Sequence, residues 1–267
     1  MGNFPIFIHP GCPDDNLTRC SWQESDRAVG WDQRSTKAKP GFFSISLNKG
    51  VYAEMTVTNH SDLYRFSFPD AIPDSLSPVV LLDMTDLQHS RHNGTASVNP
   101  QTGRLTGSAT FEPSYGIGTY RAHICADFSG PSIRDTGTWQ DDESKPGKST
   151  VSLNASGSGG VFARFTPPKA NGTIDVRVGI SFMSAERACS NAEKEQPNFD
   201  FEDTVAAAKA AWEEKMNVIS LDPSGVSTEL QTVFWSGIYR TMISPQDYTG
   251  ENPLWKSDEP YYDSFYW

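Results

Sequence analysis

The chain has 267 residues, 37% of them hydrophobic and 12% aromatic, so it can bury a core in one large domain, or in one domain and part of another. Its formal net charge of -11, from 33 acidic and 22 basic residues, repels phosphate backbones and anionic lipid surfaces. No apolar run approaches the roughly 20 residues that a membrane-spanning helix needs. We therefore expect neither a nucleic-acid partner nor a membrane partner.

Residues from about 41 to 182 are predicted to form an antiparallel β-sandwich, because short β-prone segments alternate there with turn residues and no helical pattern intervenes. These segments include GFFSISLN, VYAEMTVTN, LYRFSFP, GTYRAHICADF and GTIDVRVGISFM. Between Tyr52 and Val57 every second residue is apolar, which is the period of a half-buried strand. Two polar, glycine-containing stretches, DTGTWQDDESKPGKST (135–150) and NASGSGG (154–160), are predicted to be surface loops.

The hydrophobic period changes near residue 199 and becomes helical. A first amphipathic helix is predicted from apolar residues three or four apart, namely Phe201, Val205, Ala208, Trp212 and Met216. A second helix, ending before Pro245, is predicted from Val226, Leu230, Phe234, Ile238 and Met242. The fold class is therefore mainly β, with a β-domain followed by the first elements of an all-α domain.

Four cysteines indicate two disulfides. They are Cys12, Cys20, Cys125 and Cys189, and the simplest of the three possible connectivities joins Cys12 to Cys20 and Cys125 to Cys189. Zinc is not expected, because no CxxC pair is present and no histidine lies at ligand spacing.

Five N-glycosylation sequons, a large number for twelve asparagines, begin at Asn16, Asn59, Asn93, Asn154 and Asn171. The first residues lack the basic and long apolar regions of a signal peptide. Together with the cysteines, the sequons predict a secreted or secretory-pathway protein whose signal peptide is not part of this chain.

Three groups of residues have side chains suited to chemistry. Asp83, Asp86, His89 and His92 have the side chains of a metal site, but a strand end running into a solvated loop explains them better. His123 and Cys125 lie on one face of a predicted strand, where a disulfide at Cys125 is favoured over a nucleophile and base. The last stretch mixes carboxylates with aromatic rings, the residue types that bind and cleave sugars, although a packed aromatic hairpin has the same composition. Its members are Tyr248, Glu251, Trp255, Asp258, Glu259, Tyr261, Tyr262, Asp263, Phe265 and Tyr266.

At this last stretch the sequence resembles a known family. SGIYRTMISPQDYTGENPLWKSDEPYYDSFYW, together with GTYRAHICADFSGPSIRDTGTW and ISFMSAERACSNAEKE upstream, is similar to the fungal branch of the glycoside hydrolase family 92 exo-α-mannosidases. The resemblance implies a β-sandwich N-terminal domain over residues 1–198, a helical linker over 199–222 and the incomplete start of a catalytic (α/α) toroid over 223–267.

The resemblance also implies a calcium-dependent, inverting removal of terminal mannose from N-glycans or mannans. In such an enzyme a general acid and a general base stand about 6.5–9.5 Å apart, with water between the base and the sugar. The family's acid, base, calcium ligands and Trp-Asp-Ser-Phe-Arg motif lie beyond the matched residues, so no catalytic residue and no metal ligand is assigned. Residues that match the approach to the family's site, and are expected to bind substrate, are Tyr239, Arg240, Glu259, Tyr262 and Asp263.

Two functions therefore compete. In the first, the chain is the N-terminal portion of a mannosidase, truncated early in the catalytic domain and inactive alone, and its partners are mannose-containing glycans. In the second, it is a stand-alone, lectin-like β-sandwich that binds carbohydrate. The second leaves apolar residues of the last helix half covered, which disfavours it.

Overall fold

The computed structural model describes residues 3–70, 76–85, 90–113, 117–244, 246–254, 259 and 262–263, with only the backbone of the last two. In chain order the strands are β1 (Ile6–His9), β2 (Trp31–Lys39), β3 (Phe42–Leu47), β4 (Val51–Val57), β5 (Ser61–Phe68), β6 (Val79–Asp83), β7 (Arg91–Val98), β8 (Leu105–Phe111), β9 (Tyr120–Ser129), β10 (Ile133–Gln140), β11 (Glu143–Pro146), β12 (Thr150–Asn154), β13 (Gly159–Phe165), β14 (Gly172–Ser181), β15 (Gln246–Asp247) and β16 (Tyr262–Asp263). The helices are α1 (Glu24–Arg27), α2 (Ala185–Glu195), α3 (Phe201–Met216) and α4 (Thr228–Thr241).

The strands form two antiparallel sheets of unequal width, which confirms the predicted sandwich. The smaller sheet has the order β1-β6-β13-β10-β11, and the larger has the order β12-β7-β8-β9-β14-β5-β4-β3-β2. β15 and β16 form a separate two-stranded ribbon. Because the smaller sheet has five strands and the larger has nine, part of the larger sheet's inner face has no opposing strand.

The main core fills the space between the two sheets. Its fully buried side chains come from both of them, and they include Leu82 and Phe165 on the smaller sheet and Leu105, Phe111 and Ile124 on the larger. Together they remove from water the apolar faces of both sheets, which is the main favourable contribution to folding.

A second cluster covers the outer face of the smaller sheet. There Trp22 and the Cys12–Cys20 disulfide, which belong to the N-terminal segment, pack on Trp139 and Phe162. β6 and β13 are consequently buried on both faces, which explains why they are apolar throughout instead of alternating.

The prediction of a surface loop over residues 135–150 is wrong. Most of this stretch lies in β10 and β11, and Trp139 is completely buried against Trp22, with ring centroids 6.1 Å apart. The polar composition was misleading because Thr136 and Thr138 are also buried here, and because the covering N-terminal segment is remote in sequence. The stretch 154–160 is a turn until Gly159, where β13 begins.

Three longer helices follow the sandwich. α3 and α4 confirm the two predicted helices, whereas α2 and the early strands β1 and β2 were not predicted. α2 packs on the outer face of β14 at Gly179, where any Cβ would lie 2.0 Å from the carbonyl oxygen of Ala188, so only glycine permits this approach. None of the helices within the described ranges is long and apolar enough to cross a membrane.

Both disulfides of the simplest predicted pairing are present. Cys12 is bonded to Cys20, and Cys125 of β9 is bonded to Cys189 of α2. The second bond fastens α2 to the larger sheet across 64 residues of sequence.

Candidate functional site

The candidate site is a cavity of about 510 Å³ at the uncovered part of the larger sheet's inner face. Its floor is formed by β5, β9 and β14, where Ala122, Ile124 and Val178 belong both to the cavity wall and to the main core. The N-terminal residues 3–4 and the segment 246–251 form the remaining walls. The cavity therefore lies where the sandwich meets the part of the chain that follows the helices.

Aromatic rings form one side of the cavity. The ring of Phe182 packs edge-on against Tyr120 at 6.0 Å and against Tyr248 at 5.2 Å between centroids. Asn3 donates a hydrogen bond of 2.9 Å to the hydroxyl oxygen of Tyr120 and so fixes that ring. Flat apolar faces beside polar groups are suited to a ligand that has both, such as a sugar ring.

Asp62 supplies a carboxyl group to the cavity floor. It is half-buried on β5, and its carboxyl group makes no hydrogen bond or ion pair with any other described residue. Burial disfavours the charged form and raises the pKa of Asp62 to about 6. Burial also raises the pKa of the neighbouring Tyr64, so both groups are protonated in mildly acidic solution and can donate hydrogen bonds.

Asp247, in the wall segment 246–251, is a carboxylate with a lowered pKa. It is exposed on β15, and its Oδ1 accepts hydrogen bonds from the backbone N–H of Thr249 at 2.9 Å and from the Thr249 hydroxyl at 2.6 Å. These bonds lower the pKa of Asp247. In mildly acidic solution the cavity thus offers one protonated carboxyl group, on Asp62, and one ionised carboxylate, on Asp247, and so can both donate to and accept from hydroxyl groups.

A charged network holds the turn between β4 and β5 at the edge of the cavity. Glu195, at the end of α2, accepts hydrogen bonds from the Thr58 hydroxyl at 2.5 Å, from the His60 backbone N–H at 2.9 Å and from His60 Nδ1 at 2.7 Å. Burial opposes the charge on Glu195, but these hydrogen bonds outweigh it and lower its pKa to about 2. The hydrogen bond to Glu195 in turn raises the pKa of His60.

Glu251 fastens the segment 246–251 to the sandwich. Its side chain is almost completely buried, at 3% exposure, and its Oε2 accepts hydrogen bonds from the Ser181 hydroxyl at 2.6 Å and from the Phe182 backbone N–H at 2.9 Å. Its Oε1 accepts a 3.1 Å hydrogen bond from Asn191 and lies 3.5 Å from Arg187 Nε. The cavity wall is therefore held by a buried carboxylate that is fully engaged with β14 and α2.

The predicted substrate-binding residues fall into two groups. Tyr239 and Arg240 lie on α4, away from the cavity, where the ring of Tyr239 packs against Trp212 of α3 at 4.7 Å and Arg240 is exposed. Glu259 is exposed. Tyr262 and Asp263 form β16, whose backbone pairs with β15, so this ribbon includes two residues of the cavity wall, Gln246 and Asp247.

The remaining candidates from the sequence have structural explanations or lie outside the described residues. Asp83 is buried and its Oδ2 is 2.5 Å from Arg27, and His92 is paired with Glu112 at 2.9 Å. Cys125 is held in its disulfide, so it is no nucleophile beside His123. Outside the described residues lie Asp86, His89, Trp255, Asp258, Tyr261, Phe265 and Tyr266.

Sequence reasoning missed the residues of the cavity floor. Asp62 is an acidic residue on a strand whose alternate positions Tyr64 and Phe66 are aromatic, which is the one local signal that it faces inward. His60 and Glu195 were missed because their contact joins residues 135 apart in the sequence, which no spacing rule reveals. Of the aromatic and acidic residues named in the last stretch, Tyr248 and Glu251 line the cavity.

Comparison with known families gives two collinear matches. The family model for the glycosyl hydrolase family 92 N-terminal domain matches residues 1–181, and the model for the glycosyl hydrolase family 92 catalytic domain matches residues 187–266. A curated relative from Arthroderma benhamiae, called an uncharacterized secreted glycosidase, is 46% identical over 276 residues. That alignment covers 100% of this chain and 36% of the relative, so the chain spans about a third of the relative's length.

Solved structures share the fold. The family GH92 inverting mannosidase BT2199 from Bacteroides thetaiotaomicron superimposes with a TM-score of 0.77 at 19% identity, covering 97% of this chain and 34% of that one. The family GH92 α-mannosidase BT3965 from the same organism gives a TM-score of 0.69 at 19% identity, covering 92% of this chain and 32% of that one. At this identity the likeness establishes the architecture alone.

Proposed function

The chain belongs to glycosyl hydrolase family 92, and from this premise we propose that it forms part of a calcium-dependent, inverting exo-α-mannosidase that removes terminal mannose from N-glycans or mannans. The observation that supports this most strongly is the order of the two family matches, 1–181 followed by 187–266, along one continuous chain. Two of the structural neighbours, BT2199 and BT3965, are described as mannosidases, and BT3965 was also solved in complex with mannoimidazole.

In this proposal the chain contributes one wall of the sugar-binding site. The cavity combines apolar ring faces with carboxyl groups of contrasting pKa, and pyranose rings present apolar faces and hydroxyl groups together. Protonated Asp62 donates to a sugar oxygen, and ionised Asp247 accepts from a sugar hydroxyl. Glu251 keeps the wall in position through its buried hydrogen bonds.

The chain's described residues do not fit calcium. They contain no group of three or more His, Cys, Asp or Glu side chains that could hold a metal ion, and calcium requires six to eight oxygen ligands. We therefore assign the ion to parts of the enzyme other than these residues, and we route no chemical step through it. We assign the general acid and base to those parts too, because the family resemblance implies it.

We also propose the organisation that the family implies. Residues 1–198 act as the N-terminal β-sandwich, 199–222 as a helical linker and 223–267 as the start of the catalytic toroid. The protein enters the secretory pathway, as two disulfides and the name of the Arthroderma relative support.

Mannose release from α-1,2-mannobiose tests the proposed function. The substrate is incubated with a longer protein that contains this sequence, and proton NMR distinguishes the two anomers of mannose as they form. β-Mannose as the first product identifies an inverting reaction. The 267-residue chain alone, with calcium, should release no mannose. Release of mannose by the chain alone would contradict the assignment of the acid and base elsewhere, and α-mannose as the first product would contradict inversion.

A lectin-like function is the second candidate, and one observation favours it. The aromatic side of the cavity and its two carboxyl groups of contrasting pKa, Asp62 and Asp247, lie within this chain, so it can bind a sugar without further residues. A longer protein that contains this sequence, binds mannobiose and never cleaves it would support this candidate over the mannosidase.

A further inference from the structure

One sequon lies at the mouth of the cavity, and the function proposed above makes no use of it. Asn59, followed by His60 and Ser61, is exposed and is itself one of the cavity's lining residues. The other sequon asparagines, Asn16, Asn93, Asn154 and Asn171, are also exposed, but none of them lines the cavity. The position of Asn59 therefore distinguishes it among five sites that look equivalent in the sequence.

The exposed members of the lining define the mouth. They are Val57 at the end of β4, Asn59 in the turn after it, Ile180 on β14 and Asp247 on β15. A bulky substituent on Asn59 would stand beside the same opening through which a ligand reaches Asp62 on the floor.

The turn that carries Asn59 is firmly held. The backbone N–H of Thr58 donates to the carbonyl oxygen of Ser61 at 2.8 Å, and Glu195 accepts from Thr58 and His60 on either side of Asn59. The Asn59 side chain makes no hydrogen bond with any other described residue, so modification breaks no contact within this part of the chain. A substituent at Asn59 thus starts from a fixed base beside the mouth.

We propose that Asn59 carries an N-linked glycan that screens the mouth of the cavity, admitting short oligosaccharides and excluding large polymers, which favours N-glycans over mannans among the substrates proposed above. In the covalent step, Asn59 Nδ2 bonds to the anomeric carbon of an oligosaccharide and loses one proton, and the diphosphate of the lipid carrier leaves. The chain has the two disulfides of a secretory-pathway protein, where this lipid-linked donor is available. The screening depends on the geometry of the cavity and not on mannosidase activity.

The first experiment measures occupancy. The chain is secreted from a eukaryotic host, digested, and treated with a peptide N-glycosidase in heavy-oxygen water, which converts each modified asparagine to labelled aspartate. We expect the label at Asn59 in most molecules. Unmodified Asn59 in the secreted, folded chain overturns the proposal.

The second experiment measures screening. Asp62 and Asp247 are coupled by carbodiimide to a small amine, glycine ethyl ester, or to a polyethylene glycol amine of several kilodaltons, and the products are quantified by mass spectrometry. We expect Asn59→Gln to increase coupling of the large amine several-fold and to leave coupling of the small amine unchanged. Trimming the glycan of the unaltered chain to one sugar with an endoglycosidase should also increase coupling of the large amine. Because this chain carries no substitution, the increase cannot be due to misfolding of a variant.

Asn93→Gln is the matched control, because Asn93 is an exposed sequon asparagine on β7 that does not line the cavity. It should leave the coupling of both amines as in the unaltered chain. The proposal is contradicted if the large amine couples equally to the unaltered, Asn59→Gln and Asn93→Gln chains while Asn59 carries a glycan in the unaltered chain. That result would show that the glycan does not screen the cavity.

Discussion

At the scale of single residues, the His60–Glu195 pair makes folding depend on pH in two directions. The pKa of Glu195 is lowered from 4.5 to about 2 in the folded chain. Its contribution to the free energy of unfolding is therefore complete above pH 4.5 and is lost as the pH falls towards 2. The pKa of His60 is raised above 6.5 in the folded chain. Its contribution to the free energy of unfolding is therefore complete below pH 6.5 and is lost as the pH rises through the pKa of His60 in the folded chain. The pair therefore stabilises the fold most between these limits.

We predict that Glu195→Gln lowers the free energy of unfolding by roughly 1–3 kcal/mol near pH 5.5, because it leaves the hydroxyl groups of Thr58 and Ser61 and two N–H groups of His60 with a weaker acceptor. Urea unfolding of both proteins measures the difference, which should shrink at pH 3 and at pH 8.5. Glu213→Gln is the control, since Glu213 makes an exposed pair with Lys209 and should change the free energy by about 0.5 kcal/mol or less. A difference that is constant over the whole pH range would contradict the assigned pKa directions.

Asp62 behaves in the opposite way to Glu195. Its pKa in the folded chain is about 6, above the usual 3.8, so the folded state is fully favoured below pH 3.8 and loses stability as the pH rises through 6. We predict that Asp62→Asn is more stable than the unaltered chain by on the order of 1 kcal/mol at pH 7.5 and equally stable at pH 3.5. Chemical unfolding at the two pH values measures this, and Asp70→Asn, on the exposed turn after β5, should show no such difference.

At the scale of elements, the two disulfides constrain very different lengths of chain. Cys125–Cys189 spans 64 residues and attaches α2, which carries Glu195, whereas Cys12–Cys20 spans 8. By restricting the unfolded chain, the Cys125–Cys189 bond is expected to stabilise the fold by about 4 kcal/mol and the Cys12–Cys20 bond by about 2.5 kcal/mol. We predict that replacing both cysteines of the 125–189 bond by alanine lowers the melting temperature more than the same change at 12–20. The reverse order would show that packing around Trp22 outweighs chain entropy.

The sequence alone predicts some of the strands and helices and not others. Alternation predicted most strands of the larger sheet, and a 3.6-residue period predicted α3 and α4, because each signal is contained in a short window. α2 was not predicted, since its buried face is short and consists of Ala188, Cys189, Asn191 and Ala192. β10 was mistaken for a loop because its burial depends on Trp22, which is more than a hundred residues away.

At the scale of the whole molecule, the site arises from the mismatch between the two sheets. Five strands cannot cover nine, and the segment 246–251 closes part of the exposed inner face, held there by Glu251. The predicted pair Tyr262 and Asp263 reaches this wall only through the backbone pairing of β16 with β15. The carboxyl group on the floor, Asp62, comes from the sandwich, where the sequence analysis named no residue as a sugar ligand.

NMR titration of the 267-residue chain with α-1,2-mannobiose tests our proposal that this cavity binds a mannose-containing sugar through Asp62. We predict saturable binding, with chemical-shift changes confined to residues that line the cavity. In mildly acidic solution, Asp62→Ala should bind at least tenfold more weakly, about 1.4 kcal/mol, because alanine removes the carboxyl group that donates to the sugar, whereas asparagine would keep a donor. No binding, or equal binding by Asp62→Ala with shift changes elsewhere, would contradict this proposal.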